Sequence, residues 1–150
     1  MSCFIVLMSL IFKTGAANSG FMGGEKVGVI EVTGIIMDSK DIIRHIKEFR
    51  EDDTIKAIVL RVDSPGGGVA PAQESFKEVR KTIESKDIIT SMGTVAASGG
   101  YYIAAATSGI VANPGTITGS IGVLMGYTDF QEIFQKIGLK SVVVKSGEYK

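Results

Sequence analysis

Residues 94–102 have the sequence Thr-Val-Ala-Ala-Ser-Gly-Gly-Tyr-Tyr and lie inside a longer segment, residues 88–128, that contains no Asp, Glu, Lys or Arg. This segment is too rich in Gly, Ser, Thr and Asn to cross a bilayer, so we interpret it as the interior of a packed domain. An apolar run, residues 88–92, precedes the quoted stretch, and residues 101–106 have a helical composition. The pattern predicts a strand that turns into a helix near Ser98.

Ser98 is the hydroxyl that stands out in this stretch, because two small residues precede it and Gly99 and Gly100 follow it. Glycines at these positions let a substrate backbone approach closely and leave the next amide free to donate a hydrogen bond. The start of a helix also stabilises a developing anion. Ser98 is therefore a candidate nucleophile. The competing interpretation is a serine that only caps a buried helix.

Apolar runs alternate with helical stripes and glycine-rich turns along the chain, which predicts an α/β fold with a mainly parallel sheet flanked by helices. The predicted strands are residues 26–34, 57–62, 88–92, 110–112 and 139–144. The predicted amphipathic helices are residues 38–53, residues 71–83 and residues 128–137, the last with a capping box at Thr128 and an end at Gly138. We predict that residues 113–122 form a turn-rich segment.

Composition excludes several classes of function. Sixteen basic and sixteen acidic residues cancel, so nothing indicates a nucleic acid as partner. Cys3 is the only cysteine and forms no internal disulfide. Residues 63–68, Asp-Ser-Pro-Gly-Gly-Gly, follow a predicted strand as a phosphate-binding loop would, but they lack the Gly-Lys-Ser/Thr ending of such a loop. The sequence predicts no cofactor and no metal site.

The N-terminal residues differ from the rest. Residues 3–12 are an apolar run shorter than the roughly 20 residues that span a hydrocarbon core, and no basic segment precedes them. We interpret residues 1–25 as a truncated membrane anchor with its linker, and a buried strand is the alternative. We expect a single domain to begin at Lys26 and to continue to residue 150.

A serine nucleophile needs a base to take its proton. His45, the only histidine, lies on the charged side of its predicted helix and is a poor candidate. A lysine can serve if burial lowers its pKa from about 10.4 to roughly 7 or 8. Lys145 and Lys150, both beyond the last predicted strand, are the remaining candidates, and their spacing does not decide between them.

Four motifs in order resemble those of the SppA family of signal peptide peptidases, which are membrane-anchored serine proteases. The match extends over residues 26–150. The resemblance implies a ClpP/crotonase-like fold, built from repeated β-β-α units. The motifs are Asp-Ser-Pro-Gly-Gly-Gly at 63–68, Ser-Met-Gly-Thr-Val-Ala-Ala-Ser-Gly-Gly-Tyr-Tyr at 91–102, Ala-Asn-Pro-Gly-Thr-Ile-Thr-Gly-Ser-Ile-Gly-Val at 112–123 and Ser-Gly-Glu-Tyr-Lys at 146–150.

The resemblance implies a role for five residues. Ser98 matches the family's nucleophile and Lys150 its general base. Gly67 matches an oxyanion donor, with the amide of Gly99 as the second donor, and Ser120 resembles the residue that orients the lysine. The implied activity is a serine endopeptidase that degrades remnant signal peptides after their release.

The resemblance also implies a homo-oligomer that is anchored in a membrane, with its catalytic domain on the extracytoplasmic side. Asp63 stands where the family often has Asn. Family members continue past the lysine, so we expect the domain to be incomplete at its C-terminus and the chain to be an inactive fragment. Two alternatives stay open: a crotonase-like acyl-CoA enzyme and a non-catalytic scaffold of the same fold.

Overall fold

Strands and helices alternate between residues 26 and 111. The computed structural model describes residues 25–149. The strands are β1 (Lys26–Ile36), β2 (Ile55–Gly67), β3 (Ile88–Ala97), β4 (Gly109–Val111) and β5 (Ile117–Gly119). The helices are α1 (Lys40–Glu51), α2 (Val69–Thr82), α3 (Gly99–Ala104) and α4 (Gln131–Lys136).

The five strands form one sheet in the order β1-β2-β3-β4, and β5 pairs with β3 beyond β4. Every pairing is parallel. Helices connect β1 to β2, β2 to β3 and β3 to β4, as parallel pairing requires. The predicted α/β fold with a mainly parallel sheet is confirmed.

The core lies on one face of the sheet. In β1, Ile30 and Val32 are buried, whereas Val27 and Val29 on the opposite face are 60% and 56% exposed. The apolar stripe predicted for α2 packs into this core, with Ala72 and Val79 buried. Burying a side chain of this kind stabilises the fold by roughly 1.5–3 kcal/mol relative to leaving it in water.

Gly34 does not end the first strand, contrary to the prediction. It has a left-handed φ of 66°, and the pairing of β1 with β2 shifts register between Thr33 and Ile35. The strand therefore continues to Ile36 through a bulge. A left-handed φ costs glycine little, which is why this residue can form the bulge.

The prediction of a strand at residues 139–144 is wrong. Within the described part of the chain these residues have no strand partner, and they are exposed. The fifth strand is instead Ile117–Gly119, inside the segment predicted to consist of turns. Three residues flanked by proline and glycine give no strand pattern in the sequence, and their pairing with β3 is a long-range contact.

Helix α4 is shorter than predicted, and the side chain of its N-cap residue, Phe130, makes no capping hydrogen bond. The carboxylate of Asp129 accepts a hydrogen bond from the amide of Gln131 at 2.8 Å, so the capping box at Thr128 is wrong. Gly138 ends the helix as predicted, with φ 77°. The amide of Leu139 then donates to the carbonyl of Phe134 at 2.8 Å.

The predicted anchor and most of its linker, residues 1–24, lie outside the described residues. Among residues 25–149, no helix combines the length and the apolar character that crossing a membrane requires.

Candidate active site

Ser98 lies where β3 ends and α3 begins, as predicted. It has φ 51° and ψ −119°, a sparsely populated conformation that costs a non-glycine residue roughly 1–3 kcal/mol. Two backbone hydrogen bonds hold it there. Its amide donates to the carbonyl of Gly119 at 2.7 Å, and its carbonyl accepts from the amide of Tyr102 at 2.8 Å. Strain of this kind is common at functional residues and persists only where the surroundings impose it.

An irregularity in β3 sets the position of Ser98. Val62 of β2 pairs with Met92, and Ser64 pairs with Ala96. Two residues of β2 therefore match four residues of β3, so β3 carries a bulge just before the serine. Bulges of this kind are frequent next to active sites, where they redirect a side chain.

Two polar side chains stabilise the bulge. The carboxylate of Asp63 accepts a hydrogen bond from the amide of Val95 at 3.0 Å. From the other side of β3, Thr116, the residue before β5, donates its hydroxyl hydrogen to the carbonyl of Gly93 at 2.9 Å. Gly93 has to be a glycine here, because a β carbon would lie 2.7 Å from Cγ of Asp63. The bulge is thus a defined part of the structure.

Residues 66–68, here called the glycine turn, include the last two residues of β2 and touch the turn that carries Ser98. Gly66 has φ 101°, and a β carbon added to it would lie 2.7 Å from the amide nitrogen of Gly99 and 2.8 Å from Cβ of Ser98. The amide nitrogen of Gly67 is 3.5 Å from the position that a β carbon of Gly99 would occupy. The two amides named as oxyanion donors are therefore neighbours.

The pairing of β1 with β2 orients the amide of Gly67. Ile36 pairs with Gly67, and the amide of Gly68 donates to the carbonyl of Ile36 at 2.8 Å. Because alternate residues of a parallel strand bond to the same neighbour, the amide of Gly67 points away from β1. On that side the pairing of β2 with β3 has already ended at Ser64. The amide is directed to the space in front of Gly99.

A groove of about 180 Å³ passes along these turns. Ser98, Gly67 and Gly99 all line it, and the other lining residues in the described part of the chain carry no formal charge. The ring of Tyr102 stacks on Phe76 with 4.6 Å between centroids, which fixes one wall. The remaining lining residues are Gly68, Val69, Ala72, Gln73, Ile121, Gly122 and Val123. Such a groove accommodates an apolar chain.

Ser120 lies beside the nucleophile. Ala97 and Gly119, the last residues of β3 and β5, pair with each other. The residues that come next, Ser98 and Ser120, therefore occupy neighbouring positions. Both have a left-handed φ, 51° and 52°. Within residues 25–149, Ser120 is exposed.

The candidate bases are not in this cluster. Lys150 lies outside the described residues. Lys145 is exposed and donates to the backbone carbonyl of Glu148 at 3.4 Å. His45 lies on α1, which contributes no residue to the groove. The structure thus brings together Ser98, Gly67, Gly99 and Ser120.

The comparison with family models matches residues 80–150 to Peptidase family S49. The chain is 37% identical over 122 residues to the chloroplastic serine protease SPPA of Arabidopsis thaliana. The aligned residues cover 81% of this chain and 18% of that protein. It is 36% identical over 134 residues to Protease 4 of Haemophilus influenzae, covering 82% of this chain and 22% of that protein. The chain therefore spans about a fifth of the length of these two relatives.

Solved structures show the same fold. A variant of the membrane-bound stomatin-specific protease 1510-N, solved with a substrate peptide, superposes with a TM-score of 0.62 at 26% identity, covering 70% of this chain and 49% of that one. A member of the enoyl-CoA hydratase/isomerase family gives 0.55 at 15% identity, covering 76% and 49%. The second likeness concerns the fold alone and confirms its crotonase-like class. Residues 80–150 thus match peptidase family S49, and these relatives agree with the resemblance to the SppA peptidases that the motifs predicted.

Proposed function

We propose that the protein is a serine endopeptidase with Ser98 as its nucleophile. One observation carries the proposal: a serine in a left-handed conformation at a strand-to-helix turn, beside the amides of Gly67 and Gly99. A nucleophile and two backbone donors around one space are what acyl transfer needs. The match of residues 80–150 to Peptidase family S49 supports the same reaction class.

In the proposed reaction, Oγ of Ser98 attacks the carbonyl carbon of the scissile peptide bond while its proton passes to the neutral amine of Lys150. The resulting oxyanion accepts hydrogen bonds from the amides of Gly67 and Gly99, each worth roughly 3 kcal/mol in the transition state. The intermediate collapses to an acyl-enzyme, and the leaving amine takes the proton from Lys150. Water, activated by the same lysine, then hydrolyses the ester and restores Ser98.

Lys150 has to be neutral to act as a base, and a pKa lowered by three units corresponds to roughly 4 kcal/mol of desolvation. The groove, whose described lining carries no formal charge, would provide apolar surroundings for the amine, although residues 120–128 of the uncharged segment are exposed rather than buried as predicted. We assign Ser120 the role of orienting the amine by a hydrogen bond. Its position next to Ser98 in the pairing of β5 with β3 supports this role.

The substrates proposed are apolar peptides, namely the remnants of signal peptides after their release. The absence of charge from the described lining of the groove supports this class, and relatives include a signal peptide peptidase SppA of Enterococcus faecium by name. We further propose that residues 1–25 anchor the protein in a membrane and that residues 26–150 form the peptidase domain on its extracytoplasmic side.

We also propose that the protein works as a homo-oligomer. Many apolar side chains between residues 121 and 149 are exposed, and Leu124 is fully so. Side chains of this kind favour association when a complementary surface covers them. The chemistry of this region therefore suits contact with a further polypeptide.

A peptidyl fluorophosphonate tests the central proposal, because it reacts with activated serines. In the full-length protein, we expect mass spectrometry to find the adduct on Ser98 and to find none in Ser98→Ala. Ser141→Ala, which removes an exposed hydroxyl outside the groove, is the matched control and should label fully. Hydration of an enoyl-CoA by the same sample, with no labelling of Ser98, would instead favour a crotonase-like enzyme.

A further inference from the structure

Ser64 is fully buried, and its hydroxyl joins two turns. It donates a hydrogen bond to the carbonyl of Gly34 at 2.6 Å and accepts one from the amide of Gly66 at 3.1 Å. No role in the proposed reaction has been assigned to this residue. Its two partners, however, are glycines next to the proposed oxyanion hole. Gly34 forms the bulge in β1, and Gly66 precedes Gly67 in β2.

The bond to Gly66 acts on the oxyanion donors directly. Gly66 is buried and has φ 101°, and it immediately precedes Gly67. Its backbone also presses against Gly99, since an added β carbon would lie 2.7 Å from the Gly99 amide nitrogen. Any rotation of Gly66 would therefore change the angle between the two donor amides.

The bond to Gly34 acts on the part of β1 that pairs with the glycine turn. Gly34 forms the bulge in β1, after which Ile36 pairs with Gly67. Ile36 in turn accepts the amide of Gly68. The hydroxyl of Ser64 thus fixes the bulge in β1. This bulge sets the register in which Ile36 pairs with the glycine turn.

We propose that Ser64 is a positioning residue for the oxyanion hole, an inference that rests on the proposed peptidase function. Without its hydroxyl, the buried amide of Gly66 and the carbonyl of Gly34 each lose a hydrogen-bond partner, which favours a rotated turn. Stabilisation of an oxyanion depends on donors held in place before the reaction. Ser64→Ala should therefore weaken the chemical step and leave peptide binding in the groove intact.

Ser64→Ala is compared with Thr90→Val in the full-length protein. Thr90 is fully buried on β3, and its hydroxyl pairs with that of Thr107 at 3.1 Å, but it does not line the groove. Each variant thus loses one buried hydroxyl, and neither receives a longer or more branched side chain. For each, the rate of inactivation and the affinity for a peptidyl fluorophosphonate are measured separately, together with hydrogen exchange at the Gly66 amide.

Removal of one oxyanion donor costs a factor of about 100–1000, so a misaligned pair should slow inactivation by about tenfold or more. We expect affinity to change by less than about twofold and Gly66 exchange to accelerate about tenfold in Ser64→Ala alone. Unchanged exchange at Gly66 would overturn the inference, and so would faster exchange with a normal inactivation rate. If the parent protein is not labelled, the proposed function itself fails, whereas a labelled parent with an unaffected Ser64→Ala refutes the inference only.

Discussion

Two regions of the molecule contribute to the site in different ways. Residues 63–100 comprise the end of β2, α2, β3 and the start of α3, and they include buried residues such as Ser64 and Ala96. Residues 120–149 are exposed throughout, although they carry many apolar side chains. The nucleophile and the oxyanion donors come from the first region. Ser120 comes from the second region, and the proposed base, Lys150, is the residue that follows this region.

The contrast shows which part of the chemistry is held by local structure. Around Ser98, each irregular backbone position has a hydrogen bond or a close contact that fixes it, as Asp63 does for Val95. In residues 120–149, the described neighbours supply few such contacts, and within residues 25–149 no residue of α4 is buried. We therefore expect changes in the first region to be costly and changes in the second to have little effect on folding.

Ser98→Ala should give the largest effect, a loss of peptide hydrolysis by more than about a thousandfold, because no other hydroxyl can replace the nucleophile. The free energy of unfolding in urea should change by less than about 0.5 kcal/mol. Ser98→Gly should be equally inactive but more stable by about 1 kcal/mol, since glycine relieves the left-handed strain. Hydrolysis retained by either variant would contradict the assignment.

Gly67→Ala should destabilise the fold by about 3 kcal/mol and abolish hydrolysis, because overpacking against rigid backbone cannot relax. The new β carbon would lie 2.2 Å from the carbonyl oxygen of Ile36. Gly122→Ala is the matched variant in the exposed region, where a β carbon meets nothing within 4 Å, and its stability should change by less than about 0.5 kcal/mol. Equal urea midpoints for the two variants would refute the contrast between the regions.

Asp63→Ala should cost about 1–3 kcal/mol of stability and slow hydrolysis, because the amide of Val95 loses its acceptor and the bulge before Ser98 relaxes. Asp63→Asn keeps an oxygen acceptor at the same position and should retain most of both. Urea unfolding and the rate of peptide cleavage distinguish the two variants. An Asn variant as impaired as the Ala variant would show that the charge of Asp63 matters more than its hydrogen bond.

Leu124→Ala should have the smallest effect, less than about 0.5 kcal/mol in the free energy of unfolding of the 150-residue chain. The side chain is 100% exposed, so its removal leaves no cavity. Urea denaturation provides the value. A loss of more than about 1 kcal/mol would mean that this part of the chain packs against something in solution.

The sequence predicts the part of the site that depends on local pattern. An apolar run followed by Ser98 and two glycines was enough to predict the strand, the turn and the helix. The glycine turn at residues 66–68 was predicted as a loop after a strand at 57–62, but β2 continues to Gly67 because Ile35 and Ile36 of β1 pair with Gly66 and Gly67. The position of Asp63 and Ser64 directly after that strand is the signal by which their supporting roles could have been sought.

Long-range pairing explains what the sequence did not predict. β5 has only three residues, and its existence depends on β3 offering an edge beyond β4. Residues 139–144 have the β-branched pattern of a strand but no partner within the described chain, so the pattern alone was misleading. The bulge in β3 also depends on a contact from another strand, through Asp63.

The pH dependence of Ser98 labelling in Lys150→Ala and Lys145→Ala tests the proposed dyad most directly. With the parent and with Lys145→Ala, the rate of reaction with a peptidyl fluorophosphonate should rise with pH through the pKa of the base, because only the neutral amine accepts the proton of Ser98. With Lys150→Ala, labelling should be lost at every pH. Labelling of Lys150→Ala at the parental rate would contradict the assignment of Lys150 as the base.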